Sequence, residues 1–80
     1  MTKVRLPYAF MVDRRERDLP VGKMTKHGSY VDVEVSQEVL EDIISDASFY
    51  ASPDGPDMAP KAVTRSAKHA VRLLQDQGFM

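Results

Sequence analysis

Apolar and polar residues alternate from Val4 to Val12: Val4, Leu6, Tyr8, Phe10 and Val12 against Arg5, Pro7, Ala9, Met11 and Asp13. A period of two predicts a strand. Pro7 cannot donate to a ladder, so this strand belongs at a sheet edge or begins after the proline. The charged stretch from Asp13 to Pro20 carries no period and reads as an exposed loop or the wide end of a hairpin. Val21 to Lys26 is a weaker strand, followed by a turn at His27-Gly28-Ser29. Tyr30 to Val35 alternates most clearly, with Val31, Val33 and Val35 on one face and Tyr30, Asp32 and Glu34 on the other. One sheet face is therefore apolar and the other wet.

The period then changes. Ser36 suits an N-cap, Glu38 suits the first helical turn, and Leu40, Ile43, Ile44, Ala47 and Ala51 recur at helical spacing. This predicts a helix over residues 37–51, stopped by Pro53. Ser52-Pro53-Asp54-Gly55-Pro56-Asp57 reads as a turn-rich loop, with Asp57 placed to cap a second helix and Pro60 tolerated in its first turn. Val63, Ala67, Ala70, Val71 and Leu74 form the apolar stripe of that helix. Gly78 sits where a left-handed C′ residue belongs, which makes Leu74 and Phe79 the contacting pair of a Schellman ending. The predicted architecture is α+β: a three-stranded antiparallel sheet followed by two amphipathic helices on its apolar face, in the order β-β-β-α-α. The core expected from the pattern joins Leu40, Ile43, Ile44, Val63, Ala67, Val71 and Leu74 to Val31, Val33 and Val35.

Eighty residues are expected to make one domain, 1–80. The absence of cysteine removes disulfides and thiolate ligands, and no apolar run approaches a membrane span. The expectation is a soluble cytoplasmic protein with no membrane contact, no metal and no cofactor. The candidate chemistry is thin. His27 and His69 lie on different elements. Asp54-Gly55-Pro56-Asp57 lacks the alternating acids of a calcium loop. Ser66 and His69 are helical neighbours without a third group to orient the histidine. No glycine-rich phosphate loop is present. The reading is a protein that is not an enzyme.

Charge adds more than chemistry does. The total is −1, but residues 1–35 carry +2, residues 36–58 carry −6 and residues 59–80 carry +3. On the second helix Lys61, Arg65, Lys68 and Arg72 form a stripe opposite the apolar seam. On the first, Glu38, Asp42 and Asp46 lie away from the Leu40–Ile44–Ala47 seam. Both charged faces are expected to point outward as docking surfaces, not to neutralise each other. Phe49 falls on the acidic side if the first helix stays regular and is then an interaction anchor; if the helix ends near Ser48, Phe49 folds inward. Arg14, Arg15 and Arg17 form a second basic cluster, on the predicted loop.

The basic hairpin leading into Tyr30-Val31-Asp32-Val33-Glu34-Val35, the helix ending Ser45-Asp46-Ala47-Ser48-Phe49-Tyr50-Ala51, and the later Ser66-Ala67-Lys68 helix resemble small accessory proteins encoded by bacteriophages and prophages. That resemblance implies a protein that acts by binding, as a modulator or inhibitor of host or defence machinery, and transfers no catalytic residues. Two functions follow from the sequence. The first is an interaction protein that contacts a larger protein partner through Phe49, Glu38, Asp42, Asp46, Lys61, Arg65, Lys68 and Arg72. The alternative is a nucleic-acid-binding module using Arg14, Arg15 and Arg17 with the basic stripe.

Overall fold

The computed structural model describes residues 1–52 and 60–80. The loop and the Asp57 cap expected between the last two helices lie outside the described residues. In chain order the elements are β1 (Thr2–Pro7), α1 (Tyr8–Glu16), β2 (Lys23–His27), β3 (Tyr30–Val35), α2 (Gln37–Ala51) and α3 (Lys61–Asp76). The class is the expected α+β, with a three-stranded antiparallel sheet of strand order β1-β3-β2. The order of elements differs from expectation by one helix, α1, which lies between β1 and β2.

The first strand stops at Pro7, where the sequence reading carried it to Val12. Pro7 sits in the extended region (φ −63°, ψ 137°) and hands over directly to helix. Its ring removes the backbone donor that a continuing strand would need. From Tyr8 onward the inward positions are Phe10, Met11 and Arg14, the i, i+1, i+4 spacing of a helix face. Met11 is fully buried, whereas a strand through Val12 would have put it on the polar side. Both β1 and β2 run antiparallel to β3 and so parallel to each other, joined through α1 with β3 inserted between them, a split β-α-β arrangement.

Register then assigns the faces. Val4 pairs with Val33 and Leu6 with Val31, so one face of β1 and β3 is uniformly apolar and buried. Onto it come Phe10 and Met11 from α1, Leu40, Ile43 and Ala47 from α2, and Ala70 and Leu74 from α3. Ile44 and Val71 pack against this core half-buried, and Val63 is likewise half-buried. The opposite face carries Asp32, which accepts a hydrogen bond from Arg5 Nε at 3.2 Å and lies 3.3 Å from His27 Nε2.

The helix ends follow local chemistry. Ser36 Oγ accepts from the Val39 amide at 3.3 Å, and α2 spans its expected residues. Gly78 has φ +86°, with Phe79 N donating to Leu74 O at 2.8 Å and Gly78 N to Gln75 O at 3.1 Å, the two bonds of a Schellman ending. The same pair of bonds closes α1: Leu19 N to Arg14 O at 2.9 Å and Asp18 N to Arg15 O at 3.1 Å, with Asp18 at φ 60° in the glycine's place. This turn brings Pro20 back over the Arg14 side chain.

Leu74 is fully buried where α3 meets the sheet. Leu74→Ala is expected to lower stability by about 2–4 kcal/mol, the lost transfer energy plus the cavity left behind. Urea unfolding measures it; a loss under about half a kcal/mol would place the seam of α3 elsewhere.

Candidate functional site

The acidic side of α2 is occupied. Arg14 projects from the inward face of α1 and is 0% exposed. Its Nη2 donates to Asp42 Oδ2 at 2.7 Å and its Nη1 to Asp46 Oδ2 at 2.9 Å. Nε and Nη2 also donate to the Pro20 carbonyl, at 3.3 and 2.7 Å. Arg17, one turn on, reaches Asp46 through Nη1 at 3.2 Å and Nη2 at 2.9 Å, and Asp13 through Nε at 2.8 Å. Its guanidinium also lies 4.9 Å from the centre of the Tyr50 ring. The hydrogen bonds that Arg17 donates to Asp46, and the charges of Asp46 and Asp13, raise the Arg17 pKa above its ordinary value, against a lowering by burial. A cation with a raised pKa stabilises the fold fully below its unfolded pKa. That contribution is therefore present throughout the neutral range and lost only in strong alkali.

This corrects two sequence expectations. Arg14, Arg15 and Arg17 are not on a loop: Arg14 and Arg15 belong to α1 and Arg17 caps its end. Arg14 is sealed in the interior and has no surface to offer a phosphate; among the three, Arg15 is exposed and Arg17 half-buried. Nor do Asp42 and Asp46 face outward unneutralised. Asp46 keeps 10% side-chain exposure and Asp42 48%, and both are held by arginine. The cause is α1 itself, which the helical wheel of α2 could not reveal. Among the described residues no buried side-chain nitrogen or oxygen is left without a partner.

The rest of α2 keeps its sequence placement. The helix stays regular through Ala51, so Phe49 remains outside at 55% exposure, edge-on to Tyr50 with ring centres 5.2 Å apart. Glu38 is exposed in the first turn.

On α3, Lys61, Arg65, Lys68 and Arg72 are all exposed, and none is ion-paired among the described residues. Four cations spread from Lys61 to Arg72 make a stripe about 16 Å long. Lys61, Thr64, Arg65 and Lys68 line a shallow open depression of about 310 Å³. A second, of about 330 Å³, runs beside it between α3 and the sheet, lined by Pro7, Ser29, Arg65, Ser66 and His69 among others.

Ser66 and His69, the neighbours weighed for nucleophilic chemistry, do not contact each other through a hydrogen bond. Ser66 Oγ donates to Val63 O at 3.0 Å, so its proton does not point to His69. His69 stands edge-on to Tyr30, with Nε2 3.5 Å from the phenol oxygen. Among the described residues no three His, Asp or Glu side chains gather as metal ligands, and no helix is long and apolar enough to cross a membrane.

Two placements had no counterpart in the sequence reading. Gln77, past the end of α3, lies against the outer edge of β1 and exchanges two hydrogen bonds with Arg5. Lys26 carries its ammonium 4.3 Å from the centre of the Tyr8 ring. The basic residues of the hairpin, Lys23, Lys26 and His27, were visible as residues; that they share a free sheet edge follows only from strand order. No protein-family model, no curated protein and no solved structure matches the chain.

Proposed function

We propose that this is a small binding protein, without chemistry of its own, that docks an acidic surface of a larger protein partner on the outer face of α3. The observation that supports it is an asymmetry of charge. On α2 the carboxylates of Asp42 and Asp46 are taken by Arg14 and Arg17, whereas Lys61, Arg65, Lys68 and Arg72 on α3 have no ion-pair partner among the described residues. A single-sign stripe on a rigid helix speeds and orients association more than it adds affinity. Phe49 supplies an exposed aromatic of the kind that anchors interfaces. The resemblance to phage accessory proteins supports the same mode of action: binding and modulating a host component.

The test is charge reversal, Arg65→Glu with Arg72→Glu. Both side chains are exposed and unpaired among the described residues, so the variant is expected to stay folded, with stability changed by at most about 1 kcal/mol. Against a partner isolated with the wild type, association should slow at least tenfold and lose most of its salt dependence. Unchanged association would make the stripe ordinary solvated surface. Steeply salt-dependent binding to random DNA or RNA would replace the protein partner with nucleic acid.

A further inference from the structure

We infer that the free edge of β2 is a second binding site, one that accepts an acidic extended segment of a partner as a fourth strand. The two outer strands of the sheet are treated differently. At β1, the Arg5 amide donates to Gln77 Oε1 at 2.7 Å and Gln77 Nε2 donates to Arg5 O at 2.7 Å, so a side-chain amide completes that edge as a neighbouring strand would. At β2, four of five residues are exposed and no helix supplies such a cap among the described residues.

The orientation of the β2 backbone follows from the same bonds. Backbone donor and acceptor of one residue in an antiparallel strand point to the same side, and successive residues alternate. Arg5 turns both groups outward to Gln77, so its partner Asp32 turns its own groups the other way, toward Thr25 of β2. Thr25 therefore faces inward to β3. Its neighbours Met24 and Lys26 present their N–H and C=O groups to solvent at the edge, unbonded to any other described element. This is the template for strand addition.

The side chains select the occupant. Lys23 and His27 flank Thr25 on the open face of the sheet, and Lys26 lies on the other face, its ammonium over Tyr8. Lysines on a free edge deter indiscriminate pairing. The same charges disfavour a second copy of this chain, which would bring two sets of Lys23 and Lys26 together, and Lys23 on the open face favours a strand whose alternate residues place carboxylates on that face. Met24, half-buried against the core, offers an apolar contact to the intervening side chains.

The probe is a blocked eight-residue peptide alternating Glu with Val, compared with its Lys-for-Glu counterpart. It is titrated into the Arg65→Glu, Arg72→Glu variant, so that binding to the stripe on α3 cannot substitute. The acidic peptide is expected to slow hydrogen exchange of the Met24 and Lys26 amides at least tenfold, and the Lys peptide to leave them unchanged. Lys26→Pro should weaken binding at least tenfold while the protein stays folded, because the amide it removes faces solvent and not β3. Lys26→Gln, which keeps the amide, should weaken it less. The inference is overturned if the acidic peptide leaves both amides unprotected, if Lys26→Pro binds as the wild type does, or if the free protein sediments as a dimer with those amides already protected. Failure of this experiment leaves the reading of α3 untouched, and failure of the charge-reversal test leaves this one untouched.

Discussion

Arg14→Ala is expected to lower unfolding free energy by about 3–5 kcal/mol, the range for breaking one partner out of a buried ion-pair network. Small domains hold about 5–15 kcal/mol in all, and one this short belongs near the bottom of that range, so the variant should be close to unfolded at room temperature. The loss has three parts. A fully buried side chain is removed, leaving a cavity. The Pro20 carbonyl loses both its guanidinium donors. Asp46, 10% exposed, keeps Arg17 as its one partner, while Asp42 at 48% exposure recovers water. Arg14→Lys should recover only a minor share, because a single ammonium cannot reach two carboxylates and a carbonyl in the fork geometry of a guanidinium. The same network makes Asp42→Lys with Asp46→Lys unlike the reversal on α3: it sets two cations against a buried one, and that variant should not fold. Urea midpoints decide the matter; a loss below about 1 kcal/mol for Arg14→Ala would mean the arginine is dispensable packing.

What the sequence made legible was local. Ser36, Glu38 and the Leu40–Ile43–Ala47 spacing define α2 within one stretch of chain, and Gly78 with Leu74 and Phe79 defines the end of α3. The faces of β3 came from strict alternation. What stayed hidden needed either a competing period or a distant partner. Tyr8, Phe10 and Val12 continue the alternation of Val4 and Leu6 by coincidence, and this outweighed the Phe10–Met11–Arg14 spacing that marks α1. An arginine on the inward face of a nine-residue helix is a weak sign when its two carboxylates lie 28 and 32 residues away.

The candidate surfaces divide along the same line. The basic stripe of α3 was readable because the apolar seam opposite it is unambiguous, and a stripe opposite a seam faces solvent whatever the topology. The acidic side of α2 also lay off its own seam, but a second neighbour, α1, covers part of it. Phe49 could be placed only by deciding where α2 ends, and a helix running to Ala51 puts it outside. The open edge of β2 depends on strand order, which alternation along single strands does not encode.

Gly22 tests packing that no sequence pattern announced, and Gly28 is its control. Both have φ +65°. A Cβ at Gly28 would meet nothing within 4 Å, so Gly28→Ala reads the backbone cost alone, about 1–2 kcal/mol for a left-handed alanine. A Cβ at Gly22 would lie 2.5 Å from Glu34 O and 2.6 Å from Val35 Cγ1. The first of these is backbone of the central strand, paired on both sides, and cannot retreat without disturbing the ladders in which Glu34 stands opposite Lys23 and Lys3. Overpacking of this kind adds about 1–3 kcal/mol, so Gly22→Ala should cost about 2–5 kcal/mol in total. The difference between the two variants isolates the steric part, since the conformational part is common to both. Thermal or urea unfolding of the pair measures it, and equal losses would show that β3 can yield at Glu34 and that the close approach of the chain at Gly22 holds nothing in place.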